Sequence, residues 1–236
     1  MTPPLPGALR LALAAGASDP GLSVTLGGGG SAPVKVFLLL TALSFATALL
    51  VSVTSFTRIV IVLSFLRQAL GTPQLPPNQV LIGLALVLSA FVMSPTATRV
   101  YDDALGPYLD DRIQPAAALE RASDPVREFM LRQTREQDVQ LFYEISNRPR
   151  PARGEAIPMT VVMPAFMVSE LTTAFRMGLF IYVPLLLIDV LVAAMLMSMG
   201  MMMVPPTMIA LPLKIGIFLM ADGWRLVVAS LARSFA

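Results

Sequence analysis

From Val36 to Thr57 the chain runs for 22 residues without a charged side chain, and Val80–Thr98 adds 19 more. Each run is long enough to cross a hydrocarbon layer of roughly 30 Å as a helix rising about 1.5 Å per residue. Two apolar helices around a short proline-rich turn make a helical hairpin. Hydrophobic residues make up 56% of the chain and charged residues 14%, against roughly 25% charged in soluble domains. This is not the composition of an ordinary soluble globular domain. It predicts an all-α protein of apolar helical hairpins, made for a bilayer or for an unusually apolar assembly.

The charges that exist are concentrated. Residues Arg99–Glu155 hold nine Arg and eleven Asp or Glu, 20 of the 32 charges in the chain. Four regions follow: a tail (1–33), a first apolar hairpin (34–98), a polar helical insert (99–157) and a second apolar hairpin with a Met-rich loop (158–236). The net charge of +2 creates no field for a polyanion, so nucleic acid is not an expected partner. The chain has neither Cys nor His. Disulfides, Cys/His metal sites, His-based triads and thiol nucleophiles are therefore excluded.

The tail is rich in Gly, Pro and Ala. Its run Gly27–Gly30 followed by Ser31 is not a phosphate-binding loop, because no Gly-Lys-Ser/Thr closes it. Arg10–Ala17 resembles a secretory signal ending in the small-residue site Ala15-Gly16-Ala17, although the apolar stretch is short. A plain disordered tail is the other reading, and both stay open. Either one places the following residues outside the cytoplasm.

In the first block Arg58 interrupts an apolar run that resumes to Leu66, and the stretch 71–78 (Gly-Thr-Pro-Gln-Leu-Pro-Pro-Asn) reads as a strong turn. The second block is less regular. Arg176, Asp189, Lys214 and Asp222 punctuate it, and Gly200 and Pro205-Pro206 break it. A charge at the centre of a lipid-exposed helix costs about 2.5–3.5 kcal/mol on insertion scales. Arg58, Asp189, Lys214 and Asp222 are therefore expected to face protein or water, and much of the apolar surface to meet other subunits. Glu170 and Arg176 lie six apart, about 600° around a helix, so they do not share a face. Glu170 must find its partner on another element or another subunit. Asp189 and Lys214 are placed to pair across the Pro205-Pro206 turn, and Asp222 with Arg225 within one helix. In the insert, Asp124-Pro125 predicts a helix start. Val126, Phe129 and Met130 are expected on one apolar face, Leu141, Phe142 and Ile145 on another, with a break between Gln133 and Asp138.

Seven of the fifteen methionines fall between Met195 and Met208, with Met201, Met202 and Met203 consecutive. Read alone, they are flexible core filler beside a proline turn.

Several longer segments carry a resemblance. They are Ser55-Phe-Thr-Arg-Ile59, Leu70-Gly-Thr-Pro73 leading into Pro76-Pro-Asn-Gln-Val-Leu81, Phe91-Val-Met-Ser-Pro95 and Arg127–Thr134 (Arg-Glu-Phe-Met-Leu-Arg-Gln-Thr). In the second block they are Pro164–Gly178, Met199–Pro206, Pro212-Leu-Lys214 and Asp222-Gly-Trp224. From about Val34 to Phe235 the chain is similar to the FliP/SctR family of type III secretion export gates, and Phe129–Thr134 with the polar insert favours the flagellar branch.

The resemblance implies a non-enzymatic subunit of the flagellar export gate, without a cofactor, in the inner membrane at the flagellar basal body. Several copies, expected as a pentamer, would form a helical ring with FliQ and FliR. FlhA and FlhB would complete the export apparatus, and unfolded flagellar substrates would pass through the centre. The assembled gate would lie on the periplasmic side. Family members close this pore with a methionine ring that Met201, Met202 and Met203 match, and with an aromatic plug that Phe142 and, nearby, Phe129 match. Glu170, with Arg58, Asp189 and Lys214, would serve as buried or intersubunit charges.

Two rival classes rest on the residues alone. A secondary transporter would use Asp189 and Lys214 as a proton or substrate site, although the two apolar blocks show no inverted repeat. An intramembrane aspartyl protease would use Asp189 and Asp222, but neither neighbourhood resembles a paired catalytic carboxylate motif.

Overall fold

In the computed structural model, residues 32–72, 74–146, 157–201 and 203–235 are described. The described residues are helical, without a strand. They form α1 (Ala32–Ser52), α2 (Phe56–Leu70), α3 (Asn78–Val100), a π turn (Tyr101–Leu105), α4 (Gly106–Leu109), α5 (Pro115–Gln133), α6 (Glu136–Ile145), α7 (Met159–Ser198), α8 (Pro206–Met220) and α9 (Gly223–Arg233). The proposed signal segment, the glycine run and the proline-rich end of the insert (147–156) lie outside the described residues.

By length and composition two helices among the described residues can cross a membrane: α3 with its continuation to Leu109, and α7. Two further pairs pass only if each is one bent span, Val36–Ser52 with Phe56–Leu70 at 68° and α8 with α9 at 64°. The apolar run that reads as continuous to Thr57 is thus divided at Val53–Ser55. Hydroxyl groups divide it: Thr54 and Thr57 both donate to the Val51 carbonyl at 3.3 Å, and Thr54 Oγ1 accepts the Phe56 N–H at 3.4 Å. Local side-chain bonds of this kind give the backbone an alternative to the helical ladder. Ser55 is fully buried and donates to Ser89 Oγ at 3.0 Å, which ties the bend to α3.

The core of residues 46–236 is built on α2 and α7, whose mutual interface is the most extensive in the fold. On α2, Ile59, Val62, Leu63, Leu66, Ala69 and Leu70 are buried, a helical i, i+3, i+4 stripe. Leu81 and Ala85 of α3, Ala174 and Leu185 of α7 and Val227 and Leu231 of α9 close on that stripe. The helix ends at Gly71, which adopts φ 77° and returns its N–H to the Gln68 carbonyl at 3.1 Å. The insert helices pack on the N-terminal half of α7: Phe129 and Met130 against Val162 and Phe166, and Val139 and Tyr143 against Val161 and Ala165.

Two expectations for the insert are corrected. Asp124-Pro125 does not start a helix. α5 begins at Pro115 and runs through Pro125. The Pro125 ring is buried and Asp124 holds Arg127 at 2.7 Å, so packing and a side-chain bond carry the turn that lacks a backbone N–H. In α6 the buried face is Val139 and Tyr143 with Phe142 half-buried, whereas Leu141 and Ile145 are exposed. The Val161–Ala165 surface of α7 selects that face. The break itself falls where the polar run predicts it, between Gln133 and Glu136.

Gly178 of α7 packs against Phe65 of α2: a Cβ there would sit 2.6 Å from Phe65 Cγ and 3.0 Å from its Cβ. Those atoms lie near the α2 backbone and yield little. Gly178→Ala is expected to lower stability by about 1–3 kcal/mol, the range for overpacking. Thermal unfolding of the detergent-solubilised chain measures it, and Phe65→Leu in the same chain should recover part of the loss.

Candidate functional site

Three features carry the functional argument: two buried charge nodes and a methionine loop.

The first node is Arg58, which α2 presents on its buried stripe. A guanidinium has five donors in a fixed fork. Arg58 Nε donates to Glu170 Oε2 at 2.8 Å, and Nη2 donates to Glu170 Oε1 and to Gln133 Oε1, the latter at 3.3 Å. Nη1 donates to the carbonyl and the hydroxyl of Ser234, each at 3.0 Å. The number of bonds equals the number of donors. Above the guanidinium plane lies the Phe235 ring, 3.9 Å from Cζ to its centroid, a cation–π contact. Phe235 in turn stacks on Phe129 at 6.4 Å, and its carbonyl accepts from Gln133 Nε2 at 3.1 Å. Ser169, beside Glu170, accepts the Arg135 N–H at 3.0 Å. One cation thus joins α2, α5, α7 and the segment after α9. Glu170 finds its partner within its own chain, so no second subunit is needed to neutralise it.

The second node is Lys214 on α8. Its ammonium donates to Asp189 Oδ2 of α7 at 2.5 Å and to the Ala69 carbonyl at 2.9 Å. The Ala69 carbonyl lies in the last turn of α2, where orphan carbonyls concentrate negative charge and favour a cation. The pairing expected across the Pro205-Pro206 turn is present, and the contact with α2 is added to it. The adjoining cavity is about 80 Å³ and is lined in part by Gln68, Tyr182 and Thr207. Small-molecule sites run roughly 300–1,000 Å³, so this node does not provide the substrate site of the transporter reading. The protease reading also loses ground. Asp189 is bound to Lys214, whereas Asp222 faces Arg225 at 3.7 Å with both side chains mostly exposed.

The methionine loop begins where α7 stops. Gly200 adopts φ 75°, its N–H returns to the Met197 carbonyl at 3.1 Å and the Met201 N–H to the Leu196 carbonyl at 2.9 Å. This is a Schellman cap, which needs a left-handed residue at its centre and so selects glycine. α8 resumes at Pro206, where a missing N–H costs nothing. The expected turn is therefore present, and Met201 and Met203 are not helical. Met201 is 41% and Met203 97% exposed. Neither is core filler within this chain. Met202 lies outside the described residues. Below the loop Val192, Leu196 and Ala210 form a small cluster of their own.

The two aromatic positions differ. Phe142 is half-buried on α6, with part of its ring free. Phe129 is a core residue, edge-on to Phe166 at 6.0 Å and stacked on Phe235. It fixes α5 to α7 and to the C-terminal segment.

Sequence reasoning missed Gln133, Ser234 and the Ala69 carbonyl as partners of the buried charges. Backbone carbonyls leave no trace in a sequence. A buried arginine does advertise a need for several acceptors, and polar residues inside apolar helices were the available signal.

Removing one partner of a buried ion pair leaves the other charge unpaired, at a cost of about 3–5 kcal/mol. Arg58→Met is expected to destabilise the chain by about that much, and Arg58→Lys by less, because one ammonium cannot reproduce the fork. The double change Arg58→Met with Glu170→Leu should recover most of the loss. Denaturation monitored by helical circular dichroism distinguishes the three.

The FliP family matches residues 39–231. The flagellar biosynthetic protein FliP of Pectobacterium carotovorum subsp. carotovorum is 55% identical over 202 residues, covering 86% of this chain and 78% of that protein. That of Bacillus subtilis (strain 168) is 50% identical, covering 87% and 93%. That of Caulobacter vibrioides is 47% identical, covering 94% and 85%. With the family match covering most of the chain and identities of this size, the chain belongs to the FliP family.

Proposed function

We propose that the chain is a subunit of the flagellar type III protein export gate. Several copies close a ring with FliQ and FliR, and unfolded flagellar proteins pass through its centre. FlhA and FlhB are the neighbouring parts of the apparatus, and the assembled gate lies at the periplasmic side of the inner membrane. In this reading residues 34–98 and 158–236 supply the apolar wall, and residues 99–157 carry the plug residue Phe142.

One observation supports this reading above the others: Met201 and Met203 project from a capped loop instead of filling a core. In a ring every copy contributes the same loop, so the side chains converge on the axis. Methionine has three rotatable bonds and a polarisable thioether, and it can seal against itself or around a passing chain. A second feature agrees. The outer side of α7 exposes Phe175, Leu179, Phe180, Leu187 and Leu191, more apolar surface than a soluble monomer leaves open. Neighbouring subunits would cover it.

Replacing Met201, Met202 and Met203 together with Ala should leave the ring assembled and make it conduct ions and small solutes. Conductance of vesicles carrying the complex, measured beside its yield, tests this. Normal yield with no added conductance defeats the methionine seal. Lost yield defeats it too, because an exposed loop should tolerate the change.

A further inference from the structure

Arg176 is the unexplained charge of α7. It is exposed, and among the described residues it has no hydrogen bond and no ion pair. Apolar side chains surround it, and with Leu179, Phe180, Val183 and Pro184 it lines an apolar groove of about 480 Å³. The groove also contains an acceptor. Pro184 lies inside α7 and has no N–H, so the Phe180 carbonyl lacks its ordinary helical donor. A partner for this groove must therefore be apolar and must bring an anion to Arg176 and a donor to Phe180.

The described carboxylates narrow the choice. Those between Asp102 and Glu144 belong to the polar insert. Glu170 and Asp189 are bonded inside the chain. Asp222 alone sits on an exposed apolar corner, between α8 and α9. Met220 beside it is 90% exposed, and Leu219 and Trp224 are exposed as well. Its contact with Arg225 at 3.7 Å joins two solvated side chains, a type of pair worth little. The indole N–H of Trp224 has no acceptor among the described residues, although its ring packs edge-on to Phe218. The corner thus carries the anion, the donor and the apolar tip that the groove calls for.

The two surfaces also stand at about one level along the bundle. α8 runs antiparallel to α7: Lys214 meets Asp189, and Phe218 shares a core cluster with Leu185. α9 then lines a second groove with Met177, Phe180 and Ile181. The Asp222 corner accordingly lies level with Ile181. Phe180, 81% exposed, is the ridge between the groove beside α9 and the groove beside Arg176. The corner and the groove are thus distinct patches of one chain, one the complement of the other. Repetition of such a head-to-tail contact closes a ring when the rotation allows.

We infer that the Asp222–Trp224 corner of one copy docks in the Arg176–Pro184 groove of the next, with Asp222 pairing with Arg176. The contact presupposes the ring proposed above. It is tested in the full export-gate complex by cysteine cross-linking, because the chain contains no cysteine of its own. Two singly substituted chains, Leu179→Cys and Met220→Cys, are coexpressed with the partner subunits and oxidised. Covalent dimers are expected only when both are present, and in assembled complexes the yield should fall at least tenfold when Arg176→Glu is added. Assembled rings without the mixed dimer overturn the contact and leave the ring intact as a reading. Native mass spectrometry showing a single copy per complex for the unaltered chain overturns the ring and the contact together. Mixed dimers that are unchanged by Arg176→Glu overturn the ion pair. A phospholipid phosphate as the true ligand of Arg176 would appear as bound lipid lost in Arg176→Glu, with no mixed dimer, and also overturns the contact.

Discussion

The fold depends on how a fully buried arginine is satisfied. Moving a guanidinium out of water is costly, and an ion pair repays that cost only with good geometry and with every remaining donor bonded. Arg58 meets both conditions. Its fork grips the Glu170 carboxylate through two nitrogens, and its other donors reach Gln133 and Ser234. These acceptors come from different helices, so the arginine is satisfied only when α2, α5, α7 and the C-terminal segment are in place together. A hydrophobic cluster tolerates small slips in register. A five-donor fork does not, because a slip of one residue strands a charge. The node therefore selects one arrangement from the many that apolar helices permit.

A second node does the same at the other end of α2. Lys214 bridges Asp189 and the Ala69 carbonyl, so the α7–α8 hairpin is tied to the end of a core helix about three turns from Arg58. Beyond this point the hairpin carries only a small cluster and then the methionine loop. The loop is thus held at its root and free at its tip. A seal that must deform while its frame stays rigid needs that combination, and the proposed gate places it at the pore axis.

Many large apolar side chains of the described helices are exposed. A helix that is hydrophobic all round is normally buried in protein or lipid, and α1 is exposed along nearly its whole described length. This surface is the counterpart of the polar nodes. Arg58, Glu170 and Lys214 are buried within the chain, and the apolar faces left over are available to other chains. Arg176 and Asp222, by contrast, stand outside the polar insert and remain exposed among apolar neighbours.

Much of this was legible in the residues. Charge-free runs dictate helices, because a backbone without water must bond to itself. The charges that interrupt them had to face protein or water: Arg58 and Lys214 are buried in protein, Asp189 pairs with Lys214, and Asp222 is exposed. The Gly200 and Pro205-Pro206 breaks follow from backbone chemistry alone, and so do the cap and restart they produce. Other features were decided only by packing. Pro125 stays helical because its ring is buried, and α6 turns Val139 and Tyr143 inward because α7 presents Val161 and Ala165 there. Glu170 pairs with Arg58 across 112 residues, and Lys214 reaches a carbonyl 145 residues away. Local sequence states that a buried charge needs a partner, since desolvation is a property of the side chain. It cannot name the partner, since that depends on which distant helices meet, and only the tertiary structure brings them together.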